Sequence, residues 1–297
     1  MMKNIFKIIT VVLLFGFVSC KEAPKKEVVN NVTIEEEGYS IPDTWIQKRV
    51  EKAKARLHAT DAGKVLWNGM EAQGGLEKWF KNGFISFRFD YQPEDGSTRR
   101  NSYQTVDTWN NKARHNSLED SIAIFGWDGK EAWVKAKDSL AFKYDTKFWA
   151  LTPIYLFGHP FVLDGEGVNL ELLEDKEYKG AMQDAIKVTF ASGTGDAPDD
   201  YYKLYFDKST HKMSAILYIV SYPGYFPNGG HAPEKIMEIV DWKTINDIEL
   251  PVTLKTHWSK NGGLGEYITK IEVSNISFSP SVPENYFSAP EGAKILK

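Results

Sequence analysis

Residues that could carry out covalent chemistry are few in this sequence, and they form no familiar catalytic pattern. The chain has no Gly-x-Ser-x-Gly nucleophile elbow, no P-loop and no His-Glu-x-x-His motif. Its six histidines are scattered, with no pair at metal-ligand spacing. His159 and His231 fall in predicted loops beside aromatic residues and could meet in space, although a loop histidine usually bonds to backbone or water. We therefore predict no catalytic residue, no metal ligand and no cofactor.

Two groups of acidic residues are the remaining candidates for chemistry. Asp196, Asp199 and Asp200 could hold calcium, because hard cations bind clustered carboxylates, but their spacing matches no known calcium loop and a solvated turn is expected. Asp164 and Glu166 flank Gly165 and would act as an acid and a base only inside a glycosidase-like cleft. A polar turn is the simpler interpretation, and a carboxylate-based hydrolase is the minor alternative.

The feature of the sequence that favours a binding function is its content of aromatic residues. Aromatic residues make up 13% of the chain and include nine tryptophans. A concave apolar site binds by removing ligand hydrocarbon from water, at about 25 cal/mol per Å². The residues predicted to line such a site are Phe87, Phe89, Phe125, Trp127, Trp149, Tyr155, Phe157 and Trp258. The alternative is that these rings fill an ordinary core.

These aromatic residues need elements to position them, and helices come first. Order is predicted to begin near Ser40, which with Asp43 resembles a capping box. Apolar residues then recur at helical spacing from Ile46 to Leu57, and a second helix is predicted from about Asp61 to Gly74. A further turn is predicted over 76–80.

From Gly83 the apolar period changes to two, which is typical of strands. About eleven antiparallel strands are predicted, with a bulge near Ser274-Asn275 where the apolar phase slips. They are drawn from twelve candidate segments, which are 85–91, 103–109, 113–118, 121–127, 131–136, 170–175, 185–191, 202–206, 213–221, 236–242, 252–258 and 267–278. Residues 283–287 are predicted to form a closing turn that tucks Phe287 inward.

Residues 147–165 interrupt the strands with an apolar segment of helical spacing. Pro153 should kink it or start it afresh, and Gly158-His159-Pro160 should end it. Because a helix this apolar must cover something, we predict that it lies over the concave face of the sheet as a lid.

The N-terminal sequence predicts where in the cell the protein is located. Residues 1–19 join a basic start at Lys3 and Lys7 to a short apolar run, as in a secretory signal peptide. The small residue before Cys20 resembles a bacterial lipobox, which implies that Cys20 becomes the lipidated mature N-terminus. Residues 20–39 are predicted to be a flexible tether, and residues 40–297 a single domain.

Charge and cysteine content exclude several classes of protein. The net charge is −4, and removing Lys3 and Lys7 makes it more negative, so no nucleic-acid partner is expected. Cys20 is the only cysteine. A disulfide within one chain, a cysteine-ligated metal and a cysteine nucleophile in the folded domain are therefore excluded.

Several short motifs together resemble a known fold. They are Gln73-Gly74-Gly75, the strand with Phe87 and Phe89, Trp127-Asp128-Gly129…Trp133, Tyr205-Phe206-Asp207…Thr210 and Pro283…Phe287. Over residues 58–290 they resemble the periplasmic lipoprotein carrier and its outer-membrane receptor, the LolA/LolB type. That resemblance implies a mainly β (α+β) fold, a curved antiparallel half-barrel lidded by helices.

A second resemblance is to uncharacterised Gram-negative lipoproteins. It depends on Gly74-Gly75, on Tyr155…Pro160-Phe161…Leu163-Asp164 and on Leu250-Pro251, and it implies no particular activity. Together these features predict a non-enzymatic lipoprotein anchored to the periplasmic or cell-surface face of the outer membrane, which binds a lipid or another apolar molecule. The alternatives are an envelope assembly or stress factor that holds a protein segment, with Tyr225 and Phe226 in an exposed loop as its contact, and a hydrolase of envelope polymers.

Overall fold

Three helices precede the sheet. The computed structural model describes residues 38–138, 141–195, 197 and 199–297. The helices are α1 (Asp43–His58), α2 (Asp61–Ala72) and α3 (Leu76–Lys81). The predicted capping role of Ser40 is wrong, since α1 begins directly behind Pro42 and has no side-chain cap. Thr60 caps α2 by accepting a hydrogen bond from the Gly63 amide at 3.1 Å.

The strands form one antiparallel sheet, as predicted. The described residues contain fourteen strands in the order β14-β5-β4-β3-β2-β1-β13-β12-β11-β10-β9-β8-β6, and β7 also pairs with β8. The sheet is open, and with its helices it has the architecture of a lidded half-barrel. Strands β7 and β14, of three residues each, are not predicted from the sequence because they are too short to show an alternating pattern.

The strand bounds are as follows. They are β1 (Phe84–Pro93), β2 (Arg100–Asp107), β3 (Lys112–Ser117), β4 (Ile124–Trp127), β5 (Ala132–Lys135), β6 (Val168–Leu172), β7 (Lys176–Tyr178), β8 (Ala181–Phe190), β9 (Tyr202–Asp207), β10 (Met213–Tyr218), β11 (Lys235–Ile245), β12 (Ile248–Lys260), β13 (Gly263–Ser279) and β14 (Lys294–Leu296).

The predicted bulge in the last long strand is confirmed. The register between β1 and β13 shifts where Ser86 pairs with Ser277 and Arg88 pairs with Ser274, and Asn275 has a positive φ of 52°. The extra residue on β13 explains why its apolar phase slips in the sequence.

The main core lies between the helices and one face of the sheet. Phe87 and Phe89 are buried on that face, whereas Asp90 on the other face accepts hydrogen bonds from Arg88 and Arg99. Helix α2 approaches the sheet closely, because a Cβ at Gly69 would lie 2.3 Å from the ring of Phe206. The small residue therefore sets the distance between helix and sheet.

The chain closes as predicted. Phe287 is buried against Phe84, with ring centroids 6.0 Å apart, and its carbonyl oxygen accepts a hydrogen bond from the Trp133 indole at 3.0 Å.

None of the helices in the described ranges has the length and apolar character needed to span a membrane.

Candidate ligand-binding cavity

The predicted lid consists of two short helices with a break between them. Helix α4 (Thr146–Trp149) is capped by Asp145, whose carboxylate accepts from the amides of Lys147 and Phe148 at 2.9 and 3.2 Å. Helix α5 (Thr152–Phe157) starts afresh with Pro153 in its first turn, as the proline predicted. A 3-10 turn, η1 (Phe161–Leu163), follows.

One buried histidine ties the lid to the sheet. His115 of β3 donates from Nε2 to the carbonyl oxygen of Ala150 at 2.8 Å, and its Nδ1 accepts from the Ser102 hydroxyl at 3.1 Å. The imidazole also stacks on Phe125, with centroids 4.2 Å apart. Burial lowers the pKa of His115 to about 4, so the ring is neutral at physiological pH and holds this tautomer.

The far end of the lid is fixed by an ion pair. Arg49 of α1 binds the Asp164 carboxylate through both Nε and Nη2, at 2.6 and 2.8 Å, and donates from Nη1 to the Trp109 carbonyl at 2.7 Å. The guanidinium carbon lies 4.3 Å from the centroid of the Phe80 ring. A two-pronged charged contact of this kind is geometrically specific.

A cavity of about 600 Å³ lies at the lid. Its walls are the two lid helices, the starts of β2 and β11, the end of β1, the loop before β9 and the segment after β10. Aromatic residues supply much of the lining. They include Tyr91, Trp149, Tyr155, Phe190, Tyr202 and Tyr218.

The loop after β10 forms one wall of this cavity. The Phe148 ring of the lid lies 5.0 Å from both Tyr222 and Tyr225, and Phe226 also borders the cavity. Tyr225 stays 44% exposed, while Phe226 is half-buried. The loop therefore packs against the lid on one side, while Tyr225 stays exposed as predicted.

The predicted lining residues separate into two groups. Trp127, Trp149 and Tyr155 border the cavity. The other five lie elsewhere, since Phe87, Phe89, Phe125 and Phe157 are fully buried in the core and Trp258 lies beside the Lys235 ammonium, 5.4 Å from it. Three of the eight predicted residues thus border one cavity. Helix α5 covers part of the concave face, since the Phe157 ring packs 4.6 Å from that of Phe87.

Several lining residues were not predicted as site residues. Tyr202 and Tyr218 each lie two residues from a core residue on the same strand, Leu204 and Ile216, so their spacing could have placed them on the concave face. Arg100 and Lys235 carry no such signal, because a single cation at the start of a strand usually lies in solvent.

The acidic residues considered for catalysis or calcium binding take part in ordinary ion pairs and hydrogen bonds. Glu166 is exposed and pairs with Lys52 at 2.8 Å, which lowers its pKa, whereas the hydrolase alternative requires a raised one. Asp200 accepts from the amide and hydroxyl of Ser221 at 2.6 and 2.7 Å, while Asp196 lies outside the described residues. No cluster of three or more metal-ligating side chains occurs in the part of the chain that the structure describes.

The two loop histidines have separate environments. His159 is buried, bonds through Nδ1 to the carbonyl oxygen of Tyr155 and lies 5.2 Å from the Tyr202 ring. Burial lowers its pKa to about 4. His231 is exposed and bonds to the Ala232 carbonyl at 2.7 Å. Each therefore has the backbone bond expected of a loop histidine.

Comparison with known proteins identifies the fold. No family model matches the sequence, and no curated protein matches it significantly. A LolA superfamily protein from Nitrosomonas europaea is 10% identical and aligns over 77% of this chain and 98% of its own, with a TM-score of 0.50. A DUF1329 family protein from Desulfovibrio piger is 11% identical over 82% of this chain and 97% of its own, with a TM-score of 0.48. The protein has a LolA-like fold, as the sequence motifs predicted.

Proposed function

We propose that this protein is a lipid-anchored outer-membrane lipoprotein that binds a lipid or another apolar molecule in the cavity at its lid. The observation that carries the proposal is the cavity itself, about 600 Å³ and walled by aromatic rings. Its volume lies in the range of roughly 300–1,000 Å³ that is usual for small-molecule sites. No covalent step is part of the proposal.

Burial of hydrocarbon would supply the affinity. About ten methylenes transferred from water would contribute about 8 kcal/mol, before the costs of association are subtracted. Aromatic residues are the largest group in the lining, and flat rings offer a large apolar area with few rotatable bonds. The site is therefore suited to a chain or ring system rather than to a strongly polar ligand.

The location is proposed from the N-terminal sequence. The basic start at Lys3 and Lys7, the apolar run and Cys20 support export and lipidation. These residues lie outside the described ranges, so this part of the proposal depends on the sequence alone. The anchor would hold the protein on the periplasmic or cell-surface face of that membrane.

The loop that first indicated a protein partner has a simpler role. The Tyr225 ring packs on Phe148 and Phe226 borders the cavity, so no partner is needed to explain the two aromatic residues. An envelope protein partner at this loop stays a prediction. The hydrolase alternative loses its support because the Asp164 carboxylate is bound by Arg49.

Native mass spectrometry of protein purified from membranes tests the proposal. We expect an apolar compound to co-purify, and we expect Val220→Trp to reduce its amount because Val220 borders the cavity and an indole there would occupy its volume. Val240→Trp is the matched control on β11, where the side chain is 48% exposed and does not border the cavity. An empty cavity in the wild-type protein, or equal loss in both variants, would count against the proposal.

A further inference from the structure

Three cations border the cavity, and two of them lie on strands of the sheet. Arg100 is the first residue of β2 and Lys235 the first residue of β11. In the sheet, β2 and β11 are separated by β1, β13 and β12, and each neighbouring pair is antiparallel. Because the direction reverses four times, β2 and β11 run the same way. Their first residues, Arg100 and Lys235, therefore lie at the same end of the sheet. Lys147 of α4 also borders the cavity.

Neither Arg100 nor Lys235 has a carboxylate partner within 4.0 Å among the described residues. Arg100 donates from Nη1 to the Thr98 carbonyl at 2.5 Å, but its buried Nε has no acceptor in the described part of the chain. Its guanidinium carbon lies 5.2 Å from the Tyr91 ring centroid and 5.1 Å from that of Trp149. The guanidinium is therefore held in place by the Thr98 carbonyl and two rings, and not by an anion.

Two acids, one beside Lys235 and one at the cavity wall, already accept hydrogen bonds. Glu234, next to Lys235, accepts from Lys203 at 2.7 Å, from Tyr201 at 2.8 Å and from Ser259 at 2.8 Å. Asp200 borders the cavity, but one of its oxygens accepts both bonds from Ser221. Arg49, by contrast, is paired with the Asp164 carboxylate.

Burial lowers the pKa of Lys235, and the charge of Arg100 adds to this effect. The two cations are therefore close enough to repel each other. A neutral ligand would bury them further and leave that repulsion in place, whereas an anion between them would offset it.

We propose that the cavity binds an anionic amphiphile, with its acidic group held between Arg100 and Lys235 and its hydrocarbon on the aromatic wall. This inference rests on the proposed function and adds the charge of the ligand to it. A carboxylate and a phosphate share the required chemistry, since both accept bidentate hydrogen bonds from a guanidinium. The proposal concerns a bound amphiphile and not a free ion.

Calorimetric titration of the delipidated full-length protein at pH 8 tests this charge preference. The probes are dodecanoate, dodecyl phosphate, 1-dodecanol and inorganic phosphate. We expect the two anionic amphiphiles to bind about tenfold or more tightly than 1-dodecanol, because charge-assisted hydrogen bonds are the stronger ones. Inorganic phosphate alone should bind much more weakly than dodecyl phosphate.

Variants that remove one positive charge test whether Arg100 and Lys235 cause the preference for anionic amphiphiles. Arg100→Gln and Lys235→Gln should each bring dodecanoate to within about threefold of 1-dodecanol, while leaving the affinity for 1-dodecanol nearly unchanged. Lys243→Gln is the matched control, because Lys243 is exposed on the same strand as Lys235. If Arg100→Gln does not fold, Lys235→Gln still decides the question.

The outcomes separate the two proposals. Equal binding of dodecanoate and 1-dodecanol by the wild-type protein overturns the charge preference and leaves the apolar site standing. Binding of inorganic phosphate as tight as that of dodecyl phosphate also overturns it, because the site would then be an ion site. If none of the three amphiphiles binds, the proposed function itself fails.

Discussion

At the scale of single residues, His115 connects the lid to the sheet and is itself uncharged. Its two ring nitrogens are both used, one on the Ala150 carbonyl of the lid and one on the Ser102 hydroxyl of β2. A protonated ring could no longer accept from Ser102, and its charge would be buried without a counter-ion. The contact that positions the lid therefore depends on the neutral form.

This neutrality predicts acid sensitivity. The pKa of both His115 and His159 is lowered from 6.5 to about 4 by burial. Between those values the unfolded chain binds more protons than the folded one, so stability is fully present above pH 6.5 and falls as the pH drops towards 4. Each histidine would contribute up to about 3 kcal/mol to this loss.

Urea unfolding at several pH values measures the effect. We expect the free energy of unfolding to depend less on pH between 6.5 and 4 in the His115→Gln and His159→Gln variants than in the wild-type protein. His231→Gln, at an exposed position, should keep the wild-type slope. An unchanged slope in both buried-site variants would show that the histidines do not carry the dependence.

The contacts of single side chains with distant segments could not be predicted from the sequence. Alternation placed Phe87 and Phe89 on the inner face, but it could not show that Phe157 covers Phe87. Arg100 and Lys235 were missed because their positions depend on strand order across the sheet, which a linear pattern does not record. Tyr155 and Trp149 were found because a helix-spaced apolar run between strands must cover the sheet.

At the scale of elements, the lid is the part on which the site depends. Pro153 divides it into α4 and α5 as the sequence predicted, since a proline lacks the amide that would continue the first helix. The lid is held near its middle by His115 and at its far end by the ion pair between Arg49 and Asp164. The second contact was not predicted, because α1 and Asp164 lie more than a hundred residues apart and only the folded chain brings them together.

Breaking this ion pair should destabilise the protein. Asp164 is almost fully buried, with 6% of its side chain exposed, and removing Arg49 would leave its charge without a partner. We expect Arg49→Met to lower the free energy of unfolding by about 3 kcal/mol. Thermal or urea unfolding measures this difference.

The same helix offers a matched control. Lys52, one turn along α1, pairs with the exposed Glu166 at 2.8 Å, and exposed ion pairs contribute little. Lys52→Met should therefore leave the unfolding midpoint nearly unchanged. If the two variants behave alike, the ion pair at Asp164 does not fix the lid.

At the scale of the whole molecule, the sequence predicted the class of fold better than its interior. The antiparallel order, the leading helices and the closing turn with Phe287 follow from local patterns and all occur in the structure. Whether the concave face is filled or hollow depends on the summed volumes of side chains from distant segments. Local patterns do not report that sum, so the cavity of about 600 Å³ emerged only from the folded chain.

Anchoring is the last property that belongs to the whole molecule. Cys20, the single cysteine, lies outside the described residues, and its lipidation is proposed from the lipobox-like sequence before it. Several acyl chains on one N-terminus hold a protein on a membrane far more firmly than one chain does. We expect Cys20→Ser to move the protein from the membrane fraction to the soluble fraction on cell fractionation. Ser19→Ala keeps a small residue before the cysteine and should remain with the membrane, and a Cys20→Ser protein that stays membrane-bound would mean that another feature anchors it.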